Sequence, residues 1–489
     1  MLKHVREAAA NLLPKNKFAR SVSVLAGGTA IGQIIIVAFS PILTRLYSPE
    51  DFGVFAVYSA LLAVFSCVGS LRYNAAIPLP VVDAQALKIV SLCFLANIST
   101  TLLIAALVFL YGEFLAEAFN TPELKSYLWL LPIGHFFTVL HQIFLFWATR
   151  KKTFQRVSKT QLSQACSLVG VQIALSPFGP IALLLGNLIS NIVAIVALTR
   201  STPLIKTLNL NKSGIDRKSI FVLAKKYRAF PFFGIWATLS NTIAGQLPLM
   251  ILAAYFSPAL AGYYLIAHRV LAKPVSILGR AIAQVFISSS AKLYRDKNLA
   301  STTEYLYKVL IPLAIPPTIL LMAMGPQAFR LIFGPSWEFA GEIARWLAPW
   351  CFFLFITSPL GSIFVVIGKQ KANAFFQFSF MVFGSIGLLI GAYQENIMFS
   401  IGSFVIINVL GRISLIYYLL RNLGVSFKKV CINIFFKYLI IVVLMLSPFI
   451  VMVLNFSDSG VPVLILGMVY VFTVMTLYYV KLGKSISYG

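Results

Sequence analysis

Long apolar runs, broken by short polar stretches, recur along almost the whole chain. They fall at about 21–45, 52–71, 86–111, 126–149, 157–175, 180–199, 230–254, 260–290, 305–324, 344–367, 372–393, 397–420, 431–454 and 461–480. Each is close to the roughly twenty residues that a helix needs to cross a bilayer core. The pattern therefore predicts fourteen spanning helices and an all-α polytopic membrane protein. The fifth and sixth runs are separated only by the turn residues Ser176, Pro177, Gly179 and Pro180. The segment between the sixth and seventh, 200–229, is polar and basic. It leaves six spans before it and eight after.

Composition agrees with the pattern. The chain is 59% hydrophobic and 11% charged, with mean hydropathy +0.88, whereas soluble domains carry about 25% charged residues. The net charge of +26 then has a topological explanation. If the spans alternate from a cytoplasmic N-terminus, 31 Lys and Arg residues collect on the inner side. Only Arg45, Lys125, Arg330 and Arg345 fall outside. That is the positive-inside asymmetry, and it puts both termini in the cytoplasm. The basic excess is thereby assigned to topology and an anionic leaflet, with no nucleic acid as partner. Cys67, Cys93, Cys166, Cys351 and Cys431 all lie in apolar runs without CxxC spacing, and read as small buried hydrophobes.

An internal repeat organises the spans. Tyr47-Ser48-Pro49-Glu50-Asp51-Phe52-Gly53 separates the first two, and Phe256-Ser257-Pro258-Ala259-Leu260-Ala261-Gly262 separates the seventh and eighth. Leu71-Arg72 aligns with Gly279-Arg280, Trp129-Leu130-Leu131-Pro132 with Trp346-Leu347-Ala348-Pro349, and Arg150-Lys151-Lys152 with Lys369-Gln370-Lys371. Four matches in the same order indicate a duplication. Six spans per copy keep both copies in one orientation, which predicts two six-helix lobes in parallel repeat around a central cavity. Two peripheral C-terminal helices remain. The boundaries are 1–20 for a cytoplasmic N-terminal segment, 21–200 for the N-lobe, 201–229 for a linker, 230–420 for the C-lobe and 421–489 for the last two spans and tail.

The candidate chemistry is cationic. Arg269, Lys273 and Arg280 sit inside the eighth apolar run. At 100° per residue they project from one narrow face. Charges in hydrocarbon are costly and either face a wet, protein-lined cavity or snorkel to the headgroups, and Arg280 is best placed to snorkel. Arg412 lies well inside the twelfth span, while Lys437 is near the end of the thirteenth. None of the fourteen carboxylates lies deep in a span. An anionic ligand suits such a face, because Arg pairs phosphate in two-pronged fashion and Lys acts as a point charge. Gln33 in the first span and Asn241, Thr242 and Gln246 in the seventh are candidate hydrogen-bonding groups, or else bond neighbouring helices. Gly27, Gly28 and Gly32 read as close-packing positions. Pro41, Pro248 and Pro274 are candidate bending points. The six tryptophans read mostly as an interfacial belt. No metal-ligand or nucleophile motif is present, so no metal, cofactor or catalytic residue is expected.

The segment Leu43–Pro80, with its Tyr-Ser-Pro-Glu-Asp-Phe-Gly turn and the Ser-Leu-Arg-Tyr run at Ser70–Tyr73, resembles the polysaccharide-transport family. That family comprises O-antigen and lipid-linked oligosaccharide flippases of the multidrug/oligosaccharidyl-lipid/polysaccharide exporter superfamily. The resemblance implies a bacterial inner-membrane protein that moves an undecaprenyl-pyrophosphate-linked glycan between leaflets. Its implied partners are the lipid-linked oligosaccharide, membrane lipids, and a polysaccharide polymerase and chain-length regulator of the same pathway. Arg269, Lys273, Arg280, Arg412, Gln33 and Asn241 would bind the substrate. A drug-cation antiporter or a peptidoglycan-precursor flippase of the same superfamily are the alternatives. The antiporter would be expected to use mid-span acids, which this chain lacks. An integral-membrane polymerase or ligase would need a large outer loop, which is also missing.

Overall fold

The computed structural model describes residues 17–201, 217–295, 299–455, 470, 473–476 and 478–479. The N-terminal 1–16, the linker stretch 202–216, and most of the expected span 461–480 with the tail behind it lie outside the described residues. Among the described residues the chain is helical, without a strand.

The first span is two helices, α1 (Lys17–Ala38) and α2 (Ser40–Leu46), broken at Phe39 with Pro41 in the first turn of α2. A proline is tolerated there because the first amides of a helix have no intrahelical acceptor. Then follow α3 (Pro49–Val68), α4 (Asp83–Ala118), α5 (Leu130–Arg150), α6 (Phe154–Ala174) and α7 (Pro180–Ser201). A short helix, α8 (Arg217–Lys226), lies within the linker and packs its Leu223 into the core of the first unit. The remaining helices are α9 (Ile235–Tyr255), α10 (Pro258–Arg295), α11 (Leu299–Phe333), α12 (Glu338–Thr357), α13 (Gly361–Val366), α14 (Gln370–Tyr393), α15 (Ile397–Asn422), α16 (Phe427–Val430) and α17 (Lys437–Asn455). Pro248 and Pro274 sit inside continuous helices and do not break them. The break in α11 is at Met324, beside Gly325 and Pro326.

Eleven helices among the described residues are long and apolar enough to cross a membrane. Helices α6 and α10 have spanning length but are not among the eleven: the one carries amides, the other cations. The turn expected between the fifth and sixth spans is a 3₁₀ turn, Ser176–Phe178, closed by Gly179 at φ 70°. Ion pairs respect the predicted alternation. Asp83 with Arg150 and Lys151, and Glu304 with Lys308 and Lys429, join residues assigned to the basic side. Lys125–Glu113, Arg330–Glu338 and Arg345–Glu342 join residues assigned to the other.

Trp147, Trp337 and Trp350 are buried core residues, so half of the tryptophans are no interfacial belt. Cys166 is exposed, whereas Cys93 and Cys351 are buried as expected.

The chain divides into two compact units, Met1–Leu265 and Ile266–Gly489, with the boundary inside α10. Helix α9, assigned by the repeat to the second lobe, packs on α3 within the first unit. The first unit has a core around Ile77, Leu87, Ile143 and Trp147. The second has one around Tyr307, Phe355, Phe364 and Leu419.

Within the first unit the two repeated turns meet. Ser48 and Asp51 form a reciprocal capping box, at 2.9 and 3.1 Å, that starts α3 with Pro49 in its first turn, which satisfies two otherwise unpaired amides. A Cβ on Gly53 would collide with the Pro258 carbonyl, and a Cβ on Gly262 with the Pro49 carbonyl. Each glycine lies four residues after the proline of its own turn and accepts the proline of the other. The contact is thus reciprocal, as expected of two copies of one motif meeting across a pseudo-twofold. Gly28 and Gly32 play a similar part between α1 and α6, against Ser158 and the Gln161 carbonyl.

Gly53→Ala and Gly262→Ala are each expected to lower stability by about 1–3 kcal/mol through overpacking. Gly27→Ala, with open space around it, is expected to be neutral or slightly stabilising, since alanine is the better helix former. Thermal melts of the three purified variants in detergent check the contrast. Equal melts for all three would contradict it.

Candidate functional site

Helix α10 runs without interruption through Arg269, Lys273 and Arg280, so their common face is a property of the backbone. Arg269 is half-buried and Lys273 exposed. The Arg280 side chain lies outside the described residues. Beside Arg269, the His268 ring stacks on Trp350 with centroids 5.7 Å apart. A Cβ on Gly279 would collide with Ser358, so α10 packs closely on the turn after α12.

Arg412 projects from α15 in the second unit. Its guanidinium donates to Thr357 Oγ1 at 2.8 Å and lies 5.2 Å from the centre of the Phe380 ring, while its Nε is buried without a partner. The partners this cation has among the described residues are therefore neutral, one hydroxyl and one ring face. The Thr357 hydroxyl in turn donates to the Phe353 carbonyl at 2.6 Å, which fixes its lone pairs toward Arg412. Lys437 is exposed at the start of α17, in keeping with snorkelling.

The first unit holds a second polar feature. A cleft of about 340 Å³ opens between α1, α3, α5, α6 and α7. Gln33 lines it, together with Gln161, Gln164, Asn187 and Asn191. Thr29, Ser59, Thr138 and Ser190 add hydroxyls, and among the described residues no charged side chain and no aromatic ring lines the cleft. Asn191 Nδ2 donates to Thr138 Oγ1 at 3.3 Å and to Asn187 Oδ1 at 3.2 Å, and Gln164 Nε2 donates to Asn191 Oδ1 at 3.1 Å. This network ties α5, α6 and α7 together. Asn241, by contrast, is exposed on α9 and does not line the cleft.

The sequence reading singled out Gln33 and passed over the other four amides. Their signal was present: Gln161 and Gln164 are three apart and Asn187 and Asn191 four apart, each pair on one helix face. Arg72, counted as a loop cation, is half-buried with a left-handed backbone at φ 60°, and its Nε is buried without a partner. Among the described residues no group of three His, Cys, Asp or Glu could hold a metal ion.

The described residues form a helical bundle with candidate spans, half-buried cations and a polar cleft, and comparison with known proteins places it in a family. The profile of the family described as polysaccharide biosynthesis protein matches residues 42–341. The chain belongs to that family. It is 23% identical over 318 residues to the succinoglycan biosynthesis transport protein ExoT of Rhizobium meliloti (strain 1021), an alignment covering 63% of this chain and 61% of the relative. The chain thus spans about three-fifths of that relative's length. In fold it is similar to the lipid II flippase MurJ in an inward closed conformation, with TM-score 0.70 and 15% identity, over 94% of this chain and 99% of the other. It is also similar to an inward-facing multidrug resistance MATE family transporter of the MOP superfamily, with TM-score 0.53 and 14% identity, over 82% and 93%. The fold is therefore that of the transporters of this superfamily.

Thr357→Val would leave the Arg412 guanidinium short of an acceptor, at a cost of about 1–3 kcal/mol. The Thr357→Val, Arg412→Met double variant should recover most of that loss, because an apolar pair replaces a buried charge. Melting temperatures of the two variants test the pairing, and additive losses would contradict it.

Proposed function

We propose that the protein flips an undecaprenyl-pyrophosphate-linked oligosaccharide, a repeat unit of O-antigen, capsule or exopolysaccharide, from the cytoplasmic to the periplasmic leaflet. The carrying observation is the cationic face of α10 in a chain whose spans hold no deep carboxylate. Several like charges along one helix face make a local positive potential that attracts an anion. A pyrophosphate headgroup is such an anion and cannot cross hydrocarbon alone. Membership of the polysaccharide biosynthesis family supports a glycan cargo, and the succinoglycan biosynthesis transport protein among its relatives supports a role in moving it.

In this reading Arg269, Lys273 and Arg280 line a central cavity and pass the pyrophosphate along the helix axis. Arg412, on α15 of the same lobe, adds positive potential. The two lobes rock in alternating access, consistent with a parallel repeat. Both termini face the cytoplasm, in line with the cation asymmetry.

The test is surface-glycan export in a strain lacking the chromosomal gene and carrying variants of this chain. The Arg269→Ala, Lys273→Ala double variant should export at least about tenfold less glycan at equal membrane abundance, the factor expected for about 1.4 kcal/mol of lost binding. Arg269→Lys should be impaired almost as much as Arg269→Ala, because an ammonium cannot pair in two-pronged fashion. Normal export by the double variant at normal abundance would refute the reading.

A further inference from the structure

The amide-lined cleft of the first unit carries chemistry that the cationic face does not explain. We propose that it is a binding subsite for a neutral sugar residue of the cargo; this rests on the flippase reading above and adds to it a second point of contact. Four observations support the assignment.

First, the lining is neutral. Five amides and several hydroxyls meet without a charged side chain among the described residues. Asn and Gln each offer donors and acceptors together, which is the combination that a sugar hydroxyl requires, since it too is both. A cation site would call for carboxylates or converging carbonyls, and an anion site for Arg or Lys.

Second, the size fits. About 340 Å³ lies at the small end of the range for small-ligand pockets. It far exceeds the roughly 30 Å³ that one water occupies.

Third, part of the polar capacity is unused. Asn191, Asn187, Gln164 and Thr138 bond one another and hold the wall in place. Gln33 and Gln161 line the same cleft, and their amides make no hydrogen bond among the described residues. Ser59 Oγ, also in the lining, is buried without a partner. Amides that served only to join helices would have been consumed by that role.

Fourth, the polarity of α6 is only partly used within the fold, by Gln164 and Gln172. Its sequence has the length of a span, yet it is not among the helices apolar enough to qualify. Gln161 and Gln164 are two of the residues that lower its hydropathy, and both face the cleft. Placing amides in a membrane-spanning bundle is costly unless they are hydrogen-bonded, and bound sugar hydroxyls would supply the missing bonds.

The experiment uses the full chain in lipid nanodiscs and four probes. These are farnesyl pyrophosphate and its glucosyl, galactosyl and N-acetylglucosaminyl esters. Calorimetric affinities are compared for the wild type, for a Gln33→Leu, Gln161→Leu double variant, and for Ala63→Phe, which fills the cleft. The leucine pair removes only amides that make no hydrogen bond among the described residues, and melting curves verify that both variants fold. The wild type should bind at least one glycosylated probe tenfold or more tighter than the bare pyrophosphate. Both variants should lose that difference and keep the affinity for farnesyl pyrophosphate.

A sugar-dependent gain that survives in both variants would overturn the proposal, because the sugar would then sit elsewhere. Bare pyrophosphate binding without any sugar gain in the wild type would overturn it while leaving the flippase reading intact. Failure of every probe to bind the wild type would remove both. Stabilisation by sodium that the variants abolish, with no sugar gain, would reassign the cleft to an ion.

Discussion

Positive charge inside an apolar helical bundle, with no carboxylate deep in any span to neutralise it, is the constraint on which the rest of the structure depends. Burying an unpaired ion costs several kcal/mol even after relaxation. The bundle must therefore meet its cations with neutral groups, water or a ligand. Arg412 shows the neutral solution, held by the Thr357 hydroxyl and the Phe380 ring. The face of α10 spreads three cations along one helix, and in the proposed reading a mobile anion is its complement. Ion pairs are placed where water can share them, as in the Asp83, Arg150 and Lys151 cluster and the Glu304, Lys308 and Lys429 cluster.

Close packing then sets where the helices cross. Without a hydrophobic drive between helices in lipid, small residues let backbones approach. The two repeated turns use this reciprocally, Gly53 against Pro258 and Gly262 against Pro49. The same device recurs in the second unit, where Gly325 and Gly341 bring α11 onto α12 at the break beside Met324. The amide network of Gln164, Asn191 and Thr138 adds polar ties between α5, α6 and α7. Packing is therefore tight at glycines and polar at the cleft, while much of the outer surface is apolar, as at Phe109, Phe233 and Leu444.

Most of the helices were legible in the sequence because a spanning run is long and its hydropathy signal strong. The turn at Ser176–Phe178 was legible for the opposite reason, a dense cluster of Pro and Gly. The division into compact units was less so. The repeat places a boundary near the linker, whereas the contacts divide inside α10, because α9 follows its packing partner α3. Three tryptophans were read as interfacial since residue type alone cannot tell a belt from a core, and Trp147 lies at a helix end yet packs against Ile143 and its neighbours. Of the cleft only Gln33 stood out. The other four amides lie more than a hundred residues further on, and only the packing of α6 on α1 and of α7 on α6 brings them together. Arg72 was read as a loop cation because it follows the end of α3, but the left-handed turn there carries it back into a half-buried position.

The central claim is that this chain moves a pyrophosphate-linked glycan lipid between leaflets. The most direct measurement is transbilayer movement in vesicles containing only the purified protein. A fluorescent short-chain polyprenyl-pyrophosphoryl disaccharide and a fluorescent phosphatidylcholine are each placed in both leaflets, and a membrane-impermeant reductant bleaches whatever reaches the outer one. The account predicts that the protein raises the bleached fraction of the glycan lipid well beyond the outer-leaflet half and leaves phosphatidylcholine at that half. Movement of both lipids alike, or of neither, in vesicles shown to hold folded protein would contradict it.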